Sequence, residues 1–414
     1  MMRSIIPKLY FLFLFALVSK IFEGIFGEPR PSALSSDTVH FALSTVLMGW
    51  TLTLAYPMYQ SIRRVLMSHK LLLGMYLLAA ISCCWSPDPI SSVRLIFLPL
   101  VLLVSSAYLS LTFNPEEMVG LIAKASALFA VGSIVGQFML NSVQDTLLQG
   151  WSGLYGHKNY LGVGMAIGIA SLFALRTRWN FSRWCMLILF LVMLLLARSA
   201  SASISALSVV GIFTIKRLPR FVRLSLPVVA AVALVSLIWT SDVDNFIQWV
   251  FNLVGKDTTL TGRNDIWYFV SVQMRDRPIL GYGYQGFWSP HQDIVIANLG
   301  WNPGHAHNGF LDIILTLGLI GLFLLIAVLL DGVRCGRRVR VRWGDFAGGW
   351  LLLVMWLEVL NNMTEADYMG VAPLWTLFVI AYFSCSLAAS KRISVRGENV
   401  ETVIFPENAL LQSG

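Results

Sequence analysis

The stretch His305-Ala306-His307-Asn308-Gly309-Phe310-Leu311-Asp312-Ile313-Ile314-Leu315-Thr316-Leu317 passes from a polar loop into an apolar run that continues to about residue 331. Upstream, residues 241–308 form a long polar segment between hydrophobic blocks. It also contains Thr261-Gly262-Arg263-Asn264-Asp265-Ile266-Trp267 and Gly281-Tyr282-Gly283. Arginine and histidine suit two tasks: holding an anionic leaving group and moving a proton. Almost everything around this segment is built for lipid contact.

Of the 414 residues, 57% are hydrophobic and 13% charged, against about 25% charged in a soluble domain. Apolar runs of about 20 residues recur, the length that crosses a hydrocarbon core of about 30 Å. Hydropathy places helices near 9–26, 40–59, 70–85, 90–112, 117–140, 159–175, 183–197, 202–216, 224–240, 309–331, 346–361 and 370–389. The expected fold is all-α and polytopic, with about twelve transmembrane helices. Residues 1–240 carry spans 1–9, residues 241–308 the large loop, residues 309–389 spans 10–12, and residues 390–414 a cytoplasmic tail. Arg3 and Lys8 precede an apolar run with no small-residue cleavage site after it, which reads as an uncleaved first span.

The net charge of +8 records loop sidedness rather than a nucleic-acid partner. With a cytoplasmic N-terminus, twenty basic residues fall in cytoplasmic segments and seven on the other side. That bias puts both termini in the cytoplasm and the large loop outside it. The five cysteines (Cys83, Cys84, Cys185, Cys335, Cys385) lack metal spacing and read as buried structural thiols.

Thr261 is placed to cap a helix, with Ile266, Val270 and Met274 at helical spacing and Pro278 ending it. The amphipathic pattern with Trp267 suits a membrane–water interface. Arg263 at the helix start would clamp a phosphate, or pair with Asp265 or Asp276 for structure. Gly281–Gly286 matches GxGxxG, but Trp288-Ser289-Pro290 follows where a nucleotide-binding helix should open, so it reads as a tight aromatic turn.

His305 and His307 admit three readings: metal ligation with His291 or Asp293, acid–base or hydroxyl-orienting work, or structural hydrogen bonding. A helix starting at the motif would put His305, Asn308 and Asp312 on one face. Secondary candidates belong to the same membrane surface: His157 and Lys158 in the turn Gly153–Asn159, Arg198 closing one span, and Arg94 one turn into another. Glu358, Asn361, Asn362 and Glu365 are spaced for one helical face and offer a carboxylate, so that His307 or Glu358 would accept the proton.

Thr261-Gly262-Arg263, Trp267, Pro278, Gly281-Tyr282-Gly283, His305-x-His307-Asn308, Leu311 and Gly318-x-x-Gly321 together resemble the O-antigen ligase and O-antigen polymerase superfamily, closest to its exopolysaccharide-production polymerases. The resemblance implies a bacterial inner-membrane glycosyltransferase, its active site facing the periplasm. It takes an undecaprenyl-diphosphate-linked glycan as donor and a sugar hydroxyl as acceptor, without metal or other cofactor. The family's loop arginine and histidine map onto Arg263 and His307, with His305 as neighbour and Arg198 as the second arginine. Asn308, Arg94, His157 and Lys158 join Arg198 as expected substrate contacts. The lipid bilayer, a chain-length regulator and export proteins are the further expected partners. Polymerisation of lipid-linked repeats is the leading expectation. The alternatives are ligation of finished polymer to lipid A-core and, from another class, a transporter of polysaccharide or lipid-linked sugar. A transporter would carry charge at mid-membrane in broken helices, whereas the charges here gather at one surface.

Overall fold

The computed structural model describes residues 2–22, 35–139, 150–215 and 262–395. Among these the regular elements are helices, with no strand. In chain order they are α1 (Met2–Val18), α2 (Ser35–Ala55), α3 (Tyr59–Ser68), α4 (Lys70–Ser82), α5 (Pro89–Thr112), α6 (Pro115–Met139), α7 (Lys158–Ala174), α8 (Phe181–Ala197) and α9 (Ala200–Ile215). After the large loop begins come α10 (Arg263–Gln273), α11 (Gln292–Leu299), α12 (Gly309–Trp343), α13 (Phe346–Asn361) and α14 (Pro373–Val395). The expected helix near 224–240, the cap at Thr261 and residues 396–414 of the tail lie outside the described residues, whereas residues 390–395 of the expected tail continue α14.

Four helices are long and apolar enough to cross a bilayer: Pro89–Thr112, Pro115–Gly136, Gly309–Val341 and Pro373–Ser390. A fifth span results if the pair Ala42–Ser68 and Lys70–Trp85, bent by 93°, counts as one. Ile5–Val18, Phe181–Ala197, Ala200–Ile215 and Phe346–Asn361 are apolar but shorter. The chain is thus an all-helical integral membrane protein over its described residues. The thiols depart from expectation: Cys83 and Cys385 are buried, but Cys84 and Cys185 are exposed.

Local chemistry sets the helix starts. Asp88 accepts from the Ser91 N–H at 3.1 Å while Pro89 opens α5. Asn180 caps α8 and Asp345 caps α13 in the same manner. These side chains satisfy amide groups that have no partner inside the first turn. Helix α7 is buried on every side from Leu161 to Leu172 and packs against α6, α8 and α9. Apolar residues all round a helix mark it as a central one. Its Gly162 faces α9 so closely that an added Cβ would stand 2.7 Å from the Ala202 Cβ.

Helix α12 packs along α4, α13 and α14 and has 35 residues, or about 52 Å at 1.5 Å per residue. It is kinked at Gly318, where φ is 67° and ψ is −166°. The freed backbone groups are taken up by the loop before it. Leu319 N–H donates to Pro278 O at 2.9 Å, Tyr282 N–H to Leu315 O at 2.9 Å and Gly283 N–H to Thr316 O at 2.8 Å. Non-helical backbone at membrane depth persists only when protein satisfies it in this way. The expected tight turn at Gly281–Gly283 therefore exists, and its role is to dock the large loop into a broken helix.

The rest of the loop carries its own small core. Ile266, Phe269 and Val270 of α10 pack with Tyr282, Phe287, Trp288, Val295 and Leu315. Trp267 sits at the edge of this core and donates to Ala306 O at 3.1 Å. It braces the histidine segment, where the sequence pattern suggests an interfacial anchor.

Gly318 has a backbone conformation open essentially to glycine alone, and an added Cβ would lie 2.1 Å from Ile279 O. Gly318→Ala should therefore lower the melting temperature and the folded yield in detergent. Gly120→Ala, where an added Cβ meets nothing within 4 Å, should leave both near wild type. Equal melting curves for the two variants would contradict the docking role of the kink.

Candidate functional site

The site lies at the N-terminal end of α12. Asn308 begins that helix, its side chain accepting from Phe310 N–H at 3.0 Å and Leu311 N–H at 3.2 Å. The helix starts after the histidines, so His305, Asn308 and Asp312 do not share a helical face as the spacing suggests. Asp312 instead turns back to accept from Ala306 N–H at 3.1 Å and Trp288 Nε1–H at 3.0 Å. These two bonds and the Trp267 bond to Ala306 O hold the residue between the two histidines. His307 takes a left-handed backbone, with φ of 48°, and its N–H donates to His305 Nδ1 at 3.2 Å. The two rings lie 4.1 Å apart, centroid to centroid.

The anion at the centre is Glu365. Its Oε1 lies 3.9 Å from Arg263 Nη2, and its Oε2 lies 3.7 Å from His307 Nδ1. The Asn159 Nδ2 amide donates to Oε1 at 2.9 Å, and Ser199 Oγ donates to Asn159 Oδ1 at 3.2 Å. Five separate segments thus converge: the α7 start, the residue after Arg198, the α10 start, the loop ahead of α12, and the turn between α13 and α14. Arg263 and Glu365 are only 13% and 15% exposed at their side chains, so solvent screens their attraction weakly.

Arg263 opens α10 behind Gly262, whose φ of 79° makes the turn into the helix. Its ion partner is Glu365, so the pairing with Asp265 or Asp276 raised by the sequence gives way to a contact across the fold. Burial by itself raises the Glu365 carboxyl. The proximity of His307, then of His305 and Arg263, outweighs that and holds it below the ordinary carboxylate range. His305 goes the other way: burial first, then the neighbouring His307, Arg263 and His157, bring it down to about 4. It is neutral across the physiological range.

Glu358 stands apart. Its side chain is fully buried, with Oε1 accepting from Asn362 Nδ2 at 3.1 Å, and among the described residues it makes no hydrogen bond or ion pair with Arg263, His305 or His307. The helical face expected through Glu365 is interrupted because α13 ends at Asn361. Asn362 then uses its Oδ1 to accept from Asp367 N–H at 2.8 Å and Tyr368 N–H at 3.2 Å. That turn swings Glu365 toward Arg263. The carboxylate that meets the histidine is Glu365, not Glu358.

The other candidates divide. His157 caps α7, its Nδ1 accepting from Asn159 N–H at 3.2 Å, and Lys158 follows it. Arg198 closes α8 in a left-handed conformation, φ of 50°, one residue before the Ser199 that holds Asn159. Arg94 is exposed near the start of α5, close to Asp88 in charge, and makes no hydrogen bond or ion pair with the cluster among the described residues. His291 is turned away too, bonding Phe287 O at 3.0 Å and stacking on that ring. Lys20, expected inside a span, instead follows α1 with its ammonium 5.9 Å over the Tyr160 ring.

The ligand atoms of His305, His307 and Glu365 lie within 4.8 Å of one another, a spacing that could hold a metal ion. A cleft of about 320 Å³ lined by Asn114, Glu116, Arg176 and Asp345 lies past the C-terminal end of α12, away from this chemistry.

A family model described as O-antigen ligase matches residues 184–326. The chain is also 26% identical over 331 residues to the exopolysaccharide production protein ExoQ of Rhizobium meliloti strain 1021, covering 74% of each chain. The matched region includes Arg198, Arg263, His305 and His307, and stops short of Glu365. Residues 184–326 are thus similar to the O-antigen ligase family, and over most of its length the chain resembles the exopolysaccharide production protein ExoQ.

Proposed function

We propose that this protein is a polytopic inner-membrane glycosyltransferase that polymerises undecaprenyl-diphosphate-linked oligosaccharide repeats for an exopolysaccharide. One observation carries the reading: Glu365 holds a guanidinium at 3.9 Å and an imidazole at 3.7 Å on its two oxygens. An arginine fit for a departing diphosphate and a histidine fit for a proton are thereby kept side by side.

In the reaction, an acceptor sugar hydroxyl attacks the anomeric carbon of the donor glycan. The new C–O bond forms as the bond to the lipid diphosphate breaks, and the configuration inverts. Negative charge grows on the leaving diphosphate, and Arg263 stabilises it, with Arg198 and Lys158 as further cations. His307, its Nδ1 directed at Glu365, takes the hydroxyl proton on Nε2. Glu365 then stabilises the imidazolium, the division of labour in carboxylate–histidine pairs generally. The energy comes from the lipid-linked diphosphate, so no nucleotide sugar is needed outside the cytoplasm. About twelve spans, cytoplasmic termini and a periplasmic loop complete the picture. The basic-residue bias along the chain supports that topology.

Two kinships favour different products. The relative's name concerns exopolysaccharide production, which supports polymerisation, whereas the family description is that of a ligase, which supports transfer of polymer to lipid A-core. Gel profiles of surface glycan from a deletion strain separate them. A missing polymerase leaves single repeats, and a missing ligase leaves long undecaprenyl-linked chains.

Arg263→Ala should abolish product, a loss of at least about 100-fold for a transition-state cation in a partly buried site, at unchanged protein abundance. Product at near wild-type level would remove Arg263 from the mechanism.

Asp367, in the turn that carries Glu365, generates a pH response. Burial, then the charge of Glu365, pushes its carboxyl up to about 7. An acid raised in the folded state favours the fold while protonated. That advantage over the unfolded chain is lost as pH rises from about 4 to about 7, up to about 4 kcal/mol. Asp367→Asn should therefore raise the melting temperature at pH 8 and leave it nearly unchanged at pH 4. The same shift at both pH values would contradict the assignment.

A further inference from the structure

Two of the histidines have their inner ring nitrogen occupied in the same manner. His157 Nδ1 accepts from the N–H of Asn159, two residues on, at 3.2 Å. His305 Nδ1 accepts from the N–H of His307, again two residues on, at 3.2 Å. A nitrogen that accepts carries no proton, so in each neutral ring the proton sits on Nε2. Among the described residues no acceptor takes the Nε2 proton of either. His157 is exposed, while His305 is partly buried and near enough to feel the charge of His157. His307 is oriented the opposite way, with Nδ1 toward Glu365.

We propose that His157 and His305 are a pair of fixed hydrogen-bond donors whose Nε2–H groups bind sugar oxygens of the glycan, beside a His307 that alone handles the proton. This rests on the glycosyltransferase reading above and assigns to that site its sugar-recognising groups. Several features separate the two roles. The left-handed backbone of His307 aims its N–H at the His305 ring, so the donor tautomer is set by the chain itself. The cap at the start of α7 does the same for His157, and Asn159 joins that cap to Glu365. The diphosphate has cations to meet it in Arg263 and Lys158, whereas hydroxyl and ring oxygens of a sugar are neutral and suit neutral donors. The depressed titration of His305 agrees with this role, because a ring that stays uncharged is a poor anion clamp and a steady donor. The same tautomer disfavours a metal on His305, since Nδ1 is engaged and Nε2 would have to surrender its proton.

The test uses full-length protein in nanodiscs, with a lipid-linked repeat for turnover and farnesyl diphosphate, which has no sugar, for binding. His157→Ala and His305→Ala should each raise KM about 3- to 10-fold, the scale of one neutral hydrogen bond, with a smaller effect on kcat. Both should bind farnesyl diphosphate like wild type. Glutamine places a donor near the imidazole Nε2, so His157→Gln and His305→Gln should bring KM back to within about 3-fold of wild type. His307→Gln should remove turnover. Folded fractions are matched by melting temperature before comparison.

Glutamine variants as impaired as alanine variants would overturn the proposal, because they would show that a titrating or ligating ring is required. Weakened farnesyl diphosphate binding in the alanine variants would overturn it by moving the donors to phosphate. Stoichiometric zinc binding lost in His305→Gln would overturn it in favour of a metal site. Retained turnover in both His307→Gln and Arg263→Ala would instead refute the glycosyltransferase mechanism, leaving the donor result to be read from KM alone.

Discussion

One carboxylate does the joining in this protein. Arg263, His307 and the Asn159 amide come from three distant segments, and each of them reaches Glu365. Without an anion there, the largely buried Arg263 guanidinium would lack its ionic partner, and burying an unpaired cation is strongly unfavourable. Glu365 supplies that partner. It also leaves the Arg263 guanidinium with donors to spare, since an arginine offers five N–H groups and one oxygen uses few of them. Those spare donors are what the proposed reaction would direct at the departing diphosphate.

The helices serve this contact. Helix α7 lies buried between its neighbours and delivers Asn159 from its first turn. Helix α12 delivers the histidine segment at its cap, and its break at Gly318 lets the loop hydrogen-bond into the gap. The small core around Phe287 and Trp288 includes Leu315 of α12 and so packs the described part of the loop against that helix. Rigid supports of this kind are what keep a reacting pair in geometry.

Much of the site is legible in the amino-acid sequence. Arg263, His305, His307 and Asn308 stand out as polar residues in a chain otherwise suited to lipid, and the turn before α7 stands out for the same reason. Glu365 is harder to see, because its seven-residue spacing from Glu358 continues a helical pattern that the backbone abandons at Asn361. A side chain, the Asn362 amide, makes that break by capturing the N–H groups of Asp367 and Tyr368. Hydropathy cannot detect such a capture. The kink of α12 is equally hidden, since a glycine in an apolar run is compatible with continuous helix. Arg94 illustrates the converse: its depth in a helix suggests function, yet the cluster forms without it.

The most direct measurement is a density map of the protein in nanodiscs with undecaprenyl diphosphate bound. Both phosphates should lie within hydrogen-bond reach of Arg263, with His307 Nε2 facing the site of the sugar and Glu365 on the protein side of both. Phosphates seated instead in the cleft beside Arg176 and Asp345, at the opposite end of α12, would contradict the role given to Arg263 and Glu365.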